Sequence, residues 1–286
     1  MHFYFPTVCD TITAITLTKR GDLRKNADFM GKIIAIANQK GGVGKTTTAV
    51  NLSAAVGMKG KKVLLVDMDP QGNTTSGVGI DRRGLKNTSY EIVIGEIAAK
   101  EAVVHTKFTG LDVIPCGINL AGAEIELVSI ENRMTTLKTA LAAIRGEYDF
   151  IFVDCPPSLG LITSNALCAS DTILIPIQCE YYALEGLSQL MNTVRIVKRQ
   201  FNPQLEIEGV LLTMYDGRLN LTQQVVHEVK KYFPKKVYST VIPRTVRLSE
   251  APGFGCPIFY FDRASKGAAA YASLGDEFLK ANRRAE

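Results

Sequence analysis

The sequence predicts a doubly wound α/β fold, a mostly parallel sheet flanked by helices, on three observations. Short apolar runs alternate along the chain with amphipathic segments of helical length. The runs are continuously apolar, as in Ile33-Ile34-Ala35-Ile36-Ala37 and Phe150-Ile151-Phe152-Val153. They lack the polar alternation of a strand with one face in water, so they read as strands buried on both faces. Two of them end in aspartate, at Asp67 and Asp154, and the carboxyl ends of such strands are where this fold class gathers ligands.

Strands are expected at 33–38, 62–67, 111–114, 150–154, 172–176 and 207–214. Helices are expected at 45–58, 88–99, 161–169, 182–200, 221–233 and 265–282, with 121–145 read as two helices. In the first helix Val50, Ala54 and Met58 recur at four-residue spacing. The second opens with Thr88 and Glu91, a capping-box spacing. No internal repeat, low-complexity tract or Pro/Gly linker divides the chain, so 30–286 reads as one domain. Residues 1–29 lack a period and contain a polar run at 19–26, whereas Met30-Gly31-Lys32 immediately precedes a clean strand. That segment reads as a poorly ordered N-terminal extension, either a gene-model extension ahead of a natural start at Met30 or a true arm.

Composition narrows the function classes. At 286 residues, 46% hydrophobic and 21% charged, the chain is an ordinary globular one. The net charge of +5 is compatible with nucleic-acid binding but does not argue for it. The six cysteines form no C-x-x-C pair and the three histidines are scattered, so a zinc site and a disulfide framework are both unexpected. No run approaches the roughly 18 apolar residues of a membrane span. The N-terminus lacks a signal-peptide pattern, and the expected location is the cytoplasm.

The strongest local signal is Lys40-Gly41-Gly42-Val43-Gly44-Lys45-Thr46-Thr47, between an expected strand and an expected helix. It is the phosphate-binding pattern of a P-loop NTPase, with Gln39 or Lys40 in place of the usual first glycine. Glycines let successive backbone N–H groups face a phosphate, and the helix N-terminus adds partial positive charge. Lys45 is expected to reach the β- and γ-phosphates of ATP, Thr46 to offer its hydroxyl to Mg²⁺, and Thr47 to meet the α-phosphate. Lys40 is surplus to that task, and a second buried cation costs stability unless an anion meets it.

Two further segments carry acidic groups to the same place. In Val66-Asp67-Met68-Asp69-Pro70-Gln71-Gly72-Asn73, two carboxylates leave the end of a buried strand. Beside polyphosphate they need a catalytic or metal role, and Asp67 is expected to support the Mg²⁺ shell. Asp154 ends the apolar run that precedes Cys155-Pro156-Pro157-Ser158, a Walker B arrangement expected to hold Mg²⁺. Cys155 reads as a core or loop cysteine, since no second cysteine stands in a cluster-binding setting.

The box beginning at Lys40 is the deviant Walker A form, and from Met30 to the last helix the chain resembles the ParA/Soj branch of the ParA–MinD ATPases. Gln178-Cys179-Glu180-Tyr181-Tyr182-Ala183-Leu184-Glu185-Gly186 and Arg244-Thr245-Val246-Arg247-Leu248-Ser249-Glu250-Ala251-Pro252 carry the same likeness. The resemblance implies an ATPase that binds ATP and Mg²⁺ and forms a homodimer with ATP. In it Lys40 reaches the partner's nucleotide and Asp69 polarises the attacking water. Lys40, Lys45 and Asp69 are then the catalytic set, and Met214 and Pro243 line the adenine pocket. Arg218 and Arg247 match positions used for binding double-stranded DNA without sequence preference, and Lys230, Lys231, Lys235 and Lys236 lie between them in sequence. A ParB-type centromere-binding protein is the implied stimulating partner, and the nucleoid the implied location.

The leading expectation is therefore a chromosome- or plasmid-partitioning ATPase that holds DNA while ATP is bound and releases it on hydrolysis. A MinD-like membrane-cycling ATPase is the alternative. It requires a lipid-binding amphipathic helix at the C-terminus, and residues 274–286 have few bulky apolar side chains and two adjacent acids. A metabolic or electron-donating enzyme on the same fold would need cluster-ligating cysteines or a substrate-pocket signature, and neither is apparent.

Overall fold

The computed structural model describes residues 31–180 and 183–283, and the expectation for residues 1–29 lies outside them. Among the described residues seven strands form one sheet: β1 (Lys32–Ile36), β2 (Val63–Asp67), β3 (Val104–His105), β4 (Leu111–Ile114), β5 (Phe150–Asp154), β6 (Thr172–Gln178) and β7 (Glu206–Thr213). Their spatial order is β3-β4-β2-β5-β1-β6-β7. Every neighbouring pair is parallel except β3 with β4. The doubly wound, mostly parallel sheet read from the sequence is the one observed.

Burial follows the two-residue period of a strand. Ile33 and Ala35 of β1, with Leu64 and Val66 of β2, join one apolar core. Ile34 and Ile36, with Val63 and Leu65, join the other. Each face needs a helical layer to exclude water, which is why the runs are apolar throughout. On one face lie α1 (Lys45–Gly57) and the C-terminal α11 (Lys266–Ala281). They pack tightly, with a buried contact between Thr48 Oγ1 and Tyr271 Oη at 3.2 Å. The other face carries α5 (Thr136–Ala142), α6 (Leu161–Ala169), α7 (Ala183–Gln200) and α8 (Asn220–Tyr232).

The remaining helices are short: α2 (Asn73–Gly77), α3 (Ser89–Ile94), α4 (Ala123–Glu126), α9 (Val246–Glu250) and α10 (Ile258–Phe261). The Thr88 capping box forms as expected. Thr88 Oγ1 accepts from the Tyr90 N–H at 3.2 Å and Glu91 accepts from the Thr88 N–H at 2.8 Å. That helix stops at Ile94, short of the expected 99, because Gly95 takes φ +85° and closes it as a left-handed cap. The stretch 121–145 is more broken than two helices. Ser129 Oγ donates to Glu126 O at 2.8 Å and Asn132 takes φ +59°. Both divert the backbone from helical bonding before α5 begins. The edge strand β3 has two residues, too few for any period to register.

Candidate active site

β1 ends at Ile36 and the chain turns through Gly42 (φ +72°) and Gly44 (φ +84°) into α1. Only residues without a side chain take such angles at little cost. Gly44 supplies no side-chain cap and the first turn of α1 holds no acidic residue. The N-terminal N–H groups and the positive end of the helix dipole are thus left for an anion. Thr213, at the end of β7, braces this loop from the side, donating from Oγ1 to Val43 O at 2.8 Å.

Lys45 is buried and its Nζ donates back to Lys40 O at 3.1 Å. Burial pushes its pKa down, while Asp154, Cys155 and Asp69 pull it up. An ammonium in a dry site, next to carboxylates and under a helix N-terminus, is the arrangement that meets a polyphosphate.

Asp67 and Asp154 end adjacent strands in direct register. Asp154 Oδ2 accepts from Thr46 Oγ1 at 2.8 Å and from Thr74 Oγ1 at 2.7 Å. Its Oδ1 is buried and accepts no hydrogen bond. Burial first, then the charge of Asp67, raise its pKa to about 7. Asp67 accepts from the Thr75 N–H at 2.8 Å, from Thr75 Oγ1 at 2.6 Å and from the Asp69 N–H at 3.2 Å. Its pKa is raised to about 6, chiefly by burial. Asp69 lies just past the strand end, largely buried, with Oδ1 accepting from the Gln71 N–H at 3.0 Å.

These residues fit a hard divalent cation. A fully buried carboxylate with one oxygen unsatisfied, beside a threonine hydroxyl, matches the oxygen-donor preference of Mg²⁺. Asp154 and Thr46 would hold it. The Asp67 oxygens are occupied by the loop that carries Asp69 and by α2, so Asp67 shapes the surroundings of that position.

Lys40 stands at the mouth of the loop. Its backbone N–H donates to Asn38 Oδ1 at 3.0 Å, and its Nζ pairs with Glu180 Oε2 at 2.7 Å. Met214 and Pro243 come to the same edge. Met214 holds φ +48°, rare for a residue with a side chain. Tyr215 next to it bridges to Pro243, and its N–H donates to Ile242 O at 2.9 Å. Arg218 is exposed and forked onto Asp216, with Nε at 2.8 Å and Nη2 at 2.6 Å. Arg247 pairs with Glu250 at 3.0 Å and Asp262 at 3.3 Å. Lys236 donates to Ile207 O at 2.7 Å. Cys155 is buried, and burial drives its thiol pKa up.

Sequence reasoning missed Thr74, Thr75 and Thr213. The available signal was a pair of threonines shortly after a carboxylate-ended strand, and a threonine closing the last strand. Each hydroxyl satisfies a buried oxygen of the site, as buried polar groups require.

A glycine loop between a strand and a helix, a buried lysine where the two meet, and a threonine of that helix bonded to the aspartate that ends the neighbouring strand define a P-loop nucleoside triphosphatase. A family model described as an AAA domain matches residues 31–207. The chain is 60% identical over 248 residues to the sporulation initiation inhibitor protein Soj of Bacillus subtilis, covering 87% of this chain and 98% of that one. It is 53% identical over 251 residues to the chromosome partitioning protein ParA of Myxococcus xanthus, covering 88% and 89%. A crystal structure of cobyrinic acid a,c-diamide synthase from Mycobacterium smegmatis with bound ADP and magnesium superposes with a TM-score of 0.77 at 37% identity, covering 89% of this chain and 97% of that one. The identities to the partitioning proteins are the higher ones. The chain belongs to the Soj/ParA family of chromosome-partitioning ATPases.

Proposed function

We propose that this ATPase is a nucleotide-dependent DNA clamp: with ATP and Mg²⁺ two copies pair, the pair binds double-stranded DNA of any sequence, and hydrolysis separates the copies and releases the DNA. The observation that carries this reading is the division of labour between two lysines of one loop. Lys45 is buried against the cradle, whereas the half-buried Lys40 carries its ammonium to the mouth and, among the described residues, pairs there with the exposed Glu180 carboxylate. Exposed pairs of that kind contribute little to stability, so Lys40 is free to meet the nucleotide of a second copy.

In this reading Gly41, Gly42, Val43 and Gly44 present backbone N–H groups to the phosphates, and Lys45 reaches the β- and γ-phosphates. Thr47 meets the α-phosphate, and Met214 and Pro243 flank the adenine. Thr46 and Asp154 hold Mg²⁺, which when bound neutralises charge on the phosphoryl group. Asp69 orients the attacking water and accepts its proton. Asp67 fixes the loop bearing Asp69 through the Asp69 N–H and Thr75. Arg218 and Arg247 track DNA phosphates. Both are exposed, and their carboxylate partners are exchanged for phosphate oxygens at modest cost. A ParB-type centromere-binding protein stimulates turnover, and the DNA-bound form is nucleoid-associated. Among the described residues no helix is long and apolar enough to cross a membrane.

The test is binding to long DNA of arbitrary sequence with ATP, with ADP and without nucleotide, across a salt series, for wild type, Lys40→Ala and Arg247→Glu. Binding should need ATP, weaken steeply with salt and fail in both variants. Hydrolysis of ATP without DNA binding under any condition would remove the clamp and leave the ATPase.

A further inference from the structure

We infer that Arg82 is a positioning residue for Asp69, acting through the single peptide plane between Pro70 and Gln71. The Pro70 carbonyl accepts from Arg82 Nη2 at 3.0 Å. The N–H at the other end of that same peptide, Gln71 N–H, donates to Asp69 Oδ1 at 3.0 Å. A peptide is planar and its C=O and N–H are rigidly opposed. Pinning the carbonyl therefore aims the N–H, and the N–H holds the carboxylate. A cation on the carbonyl also polarises the amide and strengthens the bond that its N–H donates.

The guanidinium is anchored on both sides. Nη1 donates to Gln71 O, the next carbonyl of the loop, and Nε to Cys116 O at 3.4 Å, just beyond β4. Cys116 is itself held, since its N–H donates to Thr75 Oγ1 at 2.8 Å, and that hydroxyl donates to Asp67. The Asp69 loop is thus fastened to the sheet at two points, through Asp67 and through Arg82. Gly72 leaves room for this fork. It takes φ +63°, and a Cβ there would lie 2.2 Å from Arg82 Cζ. Arg82 sits on a turn stiffened by its neighbours, where Arg83 Nη2 pairs with Asp81 at 2.8 Å. A lysine at position 82 reaches one of these carbonyls and cannot fork across all three.

This inference rests on the reading of Asp69 as the group that orients the attacking water. Its test is steady-state ATP hydrolysis by the full chain with Mg²⁺, for wild type, Arg82→Ala, Arg82→Lys, Gly72→Ala and Asp69→Ala, with melting temperatures alongside. For Arg82→Ala, kcat should fall between about tenfold and about a hundredfold, up to the scale of a misplaced catalytic group. Its KM for ATP should stay within about twofold, since the phosphate cradle is untouched. Arg82→Lys should fall in between, and Gly72→Ala, which displaces the guanidinium, should match Arg82→Ala. If Asp69→Ala abolishes turnover while Arg82→Ala keeps the wild-type kcat, or loses kcat only in step with its melting temperature, the role of Arg82 is overturned. If Asp69→Ala hydrolyses ATP at the wild-type rate, the reading of Asp69 fails, and the role of Arg82 fails with it.

Discussion

Asp67 and Asp154 stand opposite each other as register partners at the ends of β2 and β5, both fully buried, with their hydrogen bonds divided between different threonines. Burial raises both carboxyls from 3.8, Asp67 to about 6 with a smaller push from Asp69, and Asp154 to about 7 with a further push from the charge of Asp67. The folded chain without metal therefore holds more protons than the unfolded chain between about pH 4 and about pH 7. Their contribution to stability is present below that window and is lost as pH rises through the two folded values. Melting curves across a pH series without Mg²⁺ should show this decline, and Asp154→Asn should remove its upper part. Adding Mg²⁺ with ATP should restore stability at high pH, because the ionised Asp154 then has a partner.

Lys45→Ala should leave a folded protein that scarcely turns over. Burial already disfavours its charge, so removing it costs the fold little, whereas on the proposed reading the site loses the cation that meets developing phosphate charge. A loss of about a hundredfold or more in kcat is expected from one such electrostatic group. Circular dichroism alongside an ATPase assay checks both halves.

Thr213→Val keeps the shape of the side chain and removes one hydrogen bond to the Val43 carbonyl. The net worth of such a bond is about 1 kcal/mol. If it is spent on holding the loop in its binding form, ATP affinity should fall about fivefold. Calorimetric titration with a non-hydrolysable ATP analogue measures it directly.

Asn202 is a stability residue remote from the cradle. Its buried Nδ2 donates to Leu167 O, Cys168 O and Ser170 O at 3.1, 3.2 and 2.7 Å, satisfying carbonyls around the C-terminus of α6. Asn202→Ala should destabilise by about 2 kcal/mol by stranding them, lowering the melting temperature while leaving KM for ATP unchanged.

The cradle from Lys40 to Thr47 was legible because its chemistry is local: glycines, a lysine and a threonine act within one turn of chain. Asp67, Asp69 and Asp154 were legible because carboxylates at the ends of apolar runs have nowhere neutral to go. The long helices announced themselves by period, and six of the seven described strands as continuous apolar runs. The two-residue β3, the short α2, α9 and α10, and the broken stretch from 121 to 145 did not, because each is too short to repeat its period or is set by a single side-chain bond such as Ser129 to Glu126.

By itself the sequence determined the α/β class, the phosphate cradle and the acidic strand ends, since these depend on residues a few positions apart and on which faces of a strand meet water. Only the tertiary structure decided which oxygens of Asp154 are engaged, that Thr213 braces Val43 from 170 positions away, that Lys40 meets Glu180, and that Arg82 grips the loop of Asp69. Those pairings arise where strand ends converge on one edge of the sheet. A hydrogen bond depends on distance in space, and until the sheet is assembled nothing in the order of residues records that distance.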